Sequence, residues 1–247
     1  FITYEHFPEV KILESKTNLG YAGGYNWALE QIEADYYVLL NSDVRVTSDW
    51  LNPLVELALS NPKIAAIQPK ILDAKDTDKF EYAGASGGFL DKWGYAFCRG
   101  RIFDALETDN GQYNSVEQVF WATGACLFVS AKAFSKVGKL DADFFAHMEE
   151  IDLCWRLQRA GYEVYANPNS IVYHVGGGTL SEGSERKYHL NFRNNLVLIA
   201  KNDASAFWFI KLLWRMVLDG VSAVKFVVDG KPKLFAVVIK AHGEFWA

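Results

Sequence analysis

Cysteine is scarce in this 247-residue chain, and the little there is excludes a covalently stapled scaffold. Cys98, Cys126 and Cys154 are odd in number, widely spaced and without a CxxC pair. That pattern favours reduced thiols in a cytoplasmic protein over disulfides or a zinc site. Long apolar runs are missing too: no stretch of about 18 uncharged apolar residues is present, so no spanning helix is expected, and no signal peptide is recognised. Positive charge is in deficit, with 25 Lys+Arg against 30 Asp+Glu and a net charge of -5. A chain of that balance lacks the basic footprint of a nucleic-acid binder. Disorder is excluded as well, because 50% of the residues are hydrophobic and only 22% charged.

The deficit is uneven. Residues 191–247 hold eight Lys/Arg against four Asp/Glu, which leaves 17 basic and 26 acidic residues to the first 190. An acidic body, 1–190, is thus followed by a basic, aromatic extension, 191–247, with Trp208, Trp214 and Trp246 in it. Its pattern is helical, with Phe207, Ile210, Trp214, Val217 and Val221 on one face. Aromatic and basic residues on one helix are expected to pack partly on the body and partly on the cytoplasmic face of a membrane; internal or dimeric packing is the competing reading. The opening FITYEHFPEV starts on Phe and resembles a helix already under way, so residues are expected before it.

Periodicity supplies the outline of an α/β fold. Val10–Leu13 is a short strand candidate, and NLGYAGGYNWALEQI turns from a Gly-rich loop into a helix. YYVLLNSD (36–43) is apolar throughout until it ends in polar residues, as expected of a central parallel strand buried on both faces. Thr47 or Ser48 can cap the helix DWLNPLVELALS, and IAAIQPKIL is a further buried strand. Residues 73–118 are Gly-rich and aperiodic, a long irregular stretch of the kind that covers a site. WATGACLFVSAKAF is strand then helix, DADFFAHMEEIDLCWRLQRAG a helix stopped at Gly161, and YEVYANPNSIVYH a strand pair ending at His174.

Four segments could carry chemistry. Asn41 and Asp43 in NSDV follow the most apolar strand, where a carboxylate can hold a divalent cation that bridges phosphate oxygens; Mg²⁺ or Mn²⁺ would suit it, although Asp43 could equally well just turn the chain. In HMEEIDLCWR, Glu149, Glu150 and Asp152 crowd a helix start. Macrodipole preference explains part of that run, but the flanking FF and LCW suggest a partly desolvated carboxylate able to act as a general base. His174 precedes three glycines in VYHVGGGT, a loop suited to close approach beside an imidazole ligand. NLGYAGGYNWA does not have the GxGxxG spacing of a dinucleotide fold, which leaves a close backbone approach to a nucleotide sugar.

Taken together and in this order, these segments resemble the family 2 glycosyltransferases of the GT-A fold, in their rhamnosyltransferase-like branch. NLGYAGGYN, LLNSDV, TGACLFVSAKAF, FFAHMEEIDLCWR and VYHVGGGT each match a segment of that branch. The resemblance implies a Rossmann-like, mostly parallel sheet, here without the family's first strands and its VDNxS segment, and with a C-terminal helical extension. It implies inverting transfer from a nucleoside-diphosphate sugar to a hydroxyl of a saccharide or lipid-linked acceptor. Asp43 and His174 would hold the metal. Asn18, Gly20, Gly23, Gly24, Asn26, Asn41 and Asp43 would contact the donor, and Glu149 or, second, Glu150 would be the base. Trp121, Gly124 and Asp152 would lie on the acceptor side. Asn41 stands where the family's DxD motif has its first Asp, so Asp43 alone would supply that motif's direct carboxylate. Two other readings are a catalytically silent nucleotide-sugar-binding or scaffold protein, against which Asp43, the glutamate pair and His174 argue together, and a nucleotidyltransferase, which would need a Gly-rich loop with Arg and Lys that is not visible.

Overall fold

IAAIQPKILD is apolar at seven of its ten positions, and the strand it forms is buried along almost its whole length. In the computed structural model, which describes residues 6–82, 84–102, 105–176 and 184–247, this strand sits in the middle of the main sheet. The strands are β1 (Tyr36–Leu40), β2 (Val44–Val46), β3 (Ile64–Asp73), β4 (Gly88–Leu90), β5 (Ala96–Cys98), β6 (Arg101–Ile102), β7 (Ala105–Leu106), β8 (Glu117–Gln118), β9 (Cys126–Ser130) and β10 (Glu163–His174). Their order in the main sheet is β1-β9-β3-β10-β2, with β8 added to β10.

The sheet is mixed rather than mostly parallel. Among the described strands only β3 and β10 pair in parallel; β1/β9, β9/β3, β10/β2 and β10/β8 are antiparallel. The physical reason lies in the connections. A parallel neighbour needs a crossover back to the same end of the sheet. β9 is instead reached through the irregular 73–118 stretch and enters reversed, between β1 and β3. This also corrects the expectation for residues 36–43: β1 has β9 as its one described neighbour, and only Leu39 is fully buried on it.

The helices are α1 (Gly20–Leu29), α2 (Asn52–Ser60), α3 (Ala131–Lys136), α4 (Glu149–Arg159), α5 (Glu185–Asn202), α6 (Trp208–Val228) and α7 (Pro232–Trp246). Val10–Leu13 is not a strand. α2 begins at Asn52 without a side-chain cap, because Pro53, with φ already set for a helix, occupies its first turn. Thr47 instead donates its hydroxyl to Ile171 O at 2.8 Å. Ser130 does cap α3, accepting from Ala133 N, and α4 stops before Gly161, whose φ is +86°. The expected strand pair at 162–174 is one strand, β10, with a register shift between Asn167 and Ile171. That irregularity is held by Asn167 Nδ2 donating to Pro53 O and Ser170 Oγ donating to Trp50 O.

The 190/191 division falls inside α5, since Ser184 caps that helix and starts it earlier. α5 also locks onto the body: Asn202 Nδ2 donates to Asp152 Oδ1 at 2.8 Å, and Lys201 reaches Asp141 and Asp152. The fully buried Phe80, Phe134 and Phe144 anchor the interior, each contributing about 1.5–3 kcal/mol of apolar burial.

Candidate active site

β10 pairs antiparallel with β2 so that His174 lies opposite Val44, and Val175 N donates to Asp43 O. The short turn Asn41–Asp43 after β1 is thereby pressed against the end of β10. His174 Nε2 comes within 3.1 Å of Asp43 Oδ1 and 3.4 Å of Asn41 Nδ2. On the other side of the ring, His174 Nδ1 is 3.1 Å from Glu81 Oε1, in a carboxyl side chain that is itself only 5% exposed. Burial opposes a charge on His174, but Glu81 and then Asp43 outweigh it and hold its pKa above the ordinary value.

This pair fits a divalent cation. Two adjacent ligands on an octahedral ion, each about 2.1 Å from it, lie about 3 Å apart, and a carboxylate oxygen with an imidazole nitrogen is a donor set for a divalent cation. Among the described residues no group of three His, Cys, Asp or Glu side chains could hold a metal.

The glutamates approach the same sheet edge through backbone contacts. Asn41 N donates to Ala125 O, so Gly124 and Ala125 adjoin the Asn41 turn. Tyr21 Oη donates to Gly124 O at 2.6 Å, and Tyr25 Oη to Leu40 O at 2.9 Å. A Cβ at Gly124 would sit 2.9 Å from the Tyr21 hydroxyl. Burial raises the Glu150 carboxyl pKa while backbone amides, Gly124's among them, pull it down. Glu149 is held well above the carboxylate range by burial and then by Glu150. One oxygen of each carboxyl is buried without a hydrogen-bond partner. Both charges also help burial raise the Tyr21 pKa, which places that ring beside the pair.

The approach to α4 is strained. Phe145, His147 and Met148 all have φ between 60° and 75°, a left-handed conformation that non-glycine residues hold only where surrounding contacts impose it. Those contacts are visible. Asn194 Nδ2, fully buried, lies 2.9 Å from each of Phe144 O, Ala146 O and His147 O, and Tyr21 N donates to Phe145 O. Gly20, at φ +70°, leaves no room for a side chain, since a Cβ would be 2.7 Å from Phe145 O.

The predicted site residues divide accordingly. Asn41, Asp43 and His174 meet directly; Gly124 adjoins the Asn41 turn, Glu150 meets the Gly124 backbone, and Glu149 lies beside Glu150. Asn18 caps Gly20 N through Oδ1, Gly23 approaches Leu19, and a Cβ at Gly24 would meet nothing within 4 Å. Asn26 is used up structurally, its amide bridging Leu140 N and O. Trp121 is 6% exposed, with its Nε1 donating to Phe89 O and its indole where a Cβ on Gly88 would be, 1.9 Å away. It is a core residue and not an acceptor wall. Asp152 is fully buried among Arg156, Lys201 and Asn202, so it neutralises charge inside the fold rather than meeting an acceptor. Gly177, Gly178 and Thr179 lie outside the described residues, as do residues 1–5 of the opening segment. Sequence reasoning missed Glu81, Tyr21 and Asn194; the only signal for Glu81 was its place in the long irregular stretch.

The chain matches the profile of the glycosyl transferase family group 2 over residues 36–228. It is 27% identical over 232 residues to the N-acetylglucosaminyl-diphospho-decaprenol L-rhamnosyltransferase of Mycobacterium tuberculosis, covering 86% of this chain and 73% of that one. It is 24% identical over 160 residues to the low-salt glycan biosynthesis hexosyltransferase Agl10 of Haloferax volcanii, covering 63% of this chain and 48% of the relative. Among solved structures, GalNAc-T7 with UDP, GalNAc and Mn²⁺ superposes with a TM-score of 0.55 at 15% identity, covering 78% of this chain and 37% of its own. The mannosyltransferase PcManGT of Pyrobaculum calidifontis, with GDP-Man and Mn²⁺, gives 0.54 at 11%, covering 98% and 71%. With the profile spanning most of the chain and the fold shared with sugar transferases, the protein belongs to the family 2 glycosyltransferases and has their GT-A fold.

Proposed function

We propose that this chain moves a hexose or deoxyhexose from a nucleoside-diphosphate sugar to a hydroxyl of a saccharide or lipid-linked acceptor, with inversion at the anomeric carbon. The observation that carries this reading is the 3.1 Å pairing of Asp43 with His174 at the sheet edge. Mg²⁺ or Mn²⁺ held there would neutralise charge that develops on the departing diphosphate. Asn41, beside the imidazole, helps orient that pair, and the start of α1 offers backbone to the donor at Gly24. Glu150, next to Gly124, accepts the acceptor proton as the hydroxyl oxygen bonds to the anomeric carbon and the bond to diphosphate breaks. Its raised pKa is suited to that role, because a base works best when its pKa lies nearer the working pH. Glu149 is the alternative base, its carboxyl raised by burial and then by the neighbouring Glu150. The rhamnosyltransferase relative supports a cell-surface glycan acceptor on a lipid diphosphate, and three buried, unpaired cysteines agree with a cytoplasmic setting.

The test is transfer and donor hydrolysis with UDP-, GDP- and dTDP-sugars, with and without Mn²⁺, in wild type and in Asp43→Asn and His174→Ala. Donor turnover that requires metal and falls in both variants supports the reading. Nucleotide-sugar binding with no turnover in any combination would instead leave a silent binding protein.

A further inference from the structure

α6 turns a buried ion pair inward and a ridge of hydrophobic residues outward. On its inner side, Arg215 and Asp219 are 4% and 1% exposed and pair at 3.2 Å. His242 Nε2 of α7 lies 3.2 Å from the same aspartate, and the Arg215 guanidinium stacks 3.4 Å from the centre of the Tyr95 ring. On its outer side, Phe207, Ile210, Trp214, Val217, Val221 and Val224 recur at three- and four-residue steps and are between 46% and 69% exposed. α7 adds Phe235, Ile239 and Trp246, each at least 38% exposed. Scattered exposed apolar residues are ordinary, but a continuous ridge along a helix marks a contact surface.

We propose that this ridge is a membrane-surface docking face, with α6 lying in the plane of an anionic lipid leaflet. Three observations select lipid over another occupant. No described helix is long and apolar enough to cross a bilayer, and the buried ion pair halfway along α6 rules out a spanning role. The exposed aromatics are Phe and Trp, which partition to the headgroup boundary. Charge decides between lipid and a second copy. Residues 208–246 carry six Lys/Arg against three Asp/Glu; Lys225 pairs with Asp229, and Lys231, Lys233 and Lys240 are exposed. A two-fold dimer would set this basic patch against itself, whereas an anionic surface complements it. The purpose of the surface, meeting a lipid-linked acceptor, rests on the proposed transfer reaction, but the lipid binding stands on the helix alone.

The experiment is co-sedimentation of the purified chain with vesicles of phosphatidylcholine alone and of phosphatidylcholine with phosphatidylglycerol, at low and high salt. Light scattering and donor hydrolysis are measured on the same samples. Wild type is expected to pellet with the anionic vesicles and to bind them less at high salt. Val217→Asp/Val221→Asp should bind at least about tenfold less, and Lys231→Glu/Lys233→Glu should lose the salt-dependent part, both keeping the wild-type melting temperature because these side chains face solvent. Wild type that stays in the supernatant with anionic vesicles at low salt overturns the proposal. So do a Val217→Asp/Val221→Asp protein that binds as wild type and a dimer that this variant dissociates. Lipid binding without donor hydrolysis would count against the transfer reaction and leave the docking face standing.

Discussion

Glu81 shows how much a single side chain outside every motif can matter. Its carboxylate takes the Nδ1 side of His174, which leaves Nε2 facing Asp43. A carboxylate behind a ligating imidazole fixes the tautomer and ring orientation, and its loss typically weakens metal binding about 10–100-fold. Glu81→Ala is therefore expected to weaken Mn²⁺ binding by that amount in calorimetric titration, and Glu81→Gln by less, because its amide oxygen can still accept from Nδ1. Unchanged Mn²⁺ affinity in both would show that Glu81 serves only packing. The glutamate pair makes a separate prediction. A carboxyl held above its unfolded value stabilises the fold at low pH, and that stability is lost as pH climbs from about 4.3 through the raised native value. Glu150→Gln should thus raise the melting temperature at pH 7–8, with the gain vanishing near pH 4, while kcat falls about 10²–10⁴-fold and donor binding persists. Glu149→Gln should stabilise likewise with a smaller loss of kcat. If the larger loss of kcat goes with Glu149, the two roles are exchanged.

At the scale of elements, the strained turn ahead of α4 and its buttress on α5 act as one unit. Asn194→Ala removes the buried amide that binds the carbonyls of Phe144, Ala146 and His147, which should cost about 1–3 kcal/mol in denaturant unfolding. Because that turn aims Glu149 and Glu150, kcat should fall more than donor affinity; equal losses in both would point to general unfolding. His147 in the same turn has its pKa pushed down from 6.5 to about 4 by burial and then by Lys187. A depressed imidazole supports the fold above its unfolded pKa and withdraws that support as pH falls from about 6.5 towards 4. His147→Gln should flatten the melting-temperature profile in that window, and an unchanged slope would show that the ring is solvated in solution.

Across the whole molecule, the α/β body and the helical extension are joined by shared charges and by the apolar cluster of Leu196, Ile199 and Leu212. Besides the Asp152 contacts of α5, Glu244 on α7 binds both His189 and Arg193 of α5. A chain ending at residue 190 would lack Asn194, Lys201 and Asn202 and leave Asp152 buried with Arg156 as its one cation. It is expected to fail to unfold cooperatively in a circular-dichroism melt. A chain ending at residue 206 keeps α5 and should melt cooperatively at a lower temperature. If the two behave alike, α5 belongs with the extension after all.

Much of the site was legible because its residues lie at ends of strongly patterned elements. The buried run of β3, the acids opening α4 and the histidine closing β10 are all local signals. So was the apolar stripe of α6, since 207, 210, 214, 217 and 221 keep helical spacing on their own. Other features depend on which distant segments meet. An inner strand is apolar whether its neighbour runs with it or against it, so the reversal of β9 left no mark in composition. Glu81 is 93 residues from the imidazole it holds and sits in a stretch without period. Trp121 and Asp152 carried the residue types of a binding site, but packing against Gly88 and pairing with Arg156 and Lys201 turned them into core. The periodicity of α6 says that it has an apolar face. Only burial of Arg215 and Asp219 beneath Tyr95 decides that this face looks away from the protein, because an ion pair satisfied inside frees the helix to present its valines and tryptophans outside.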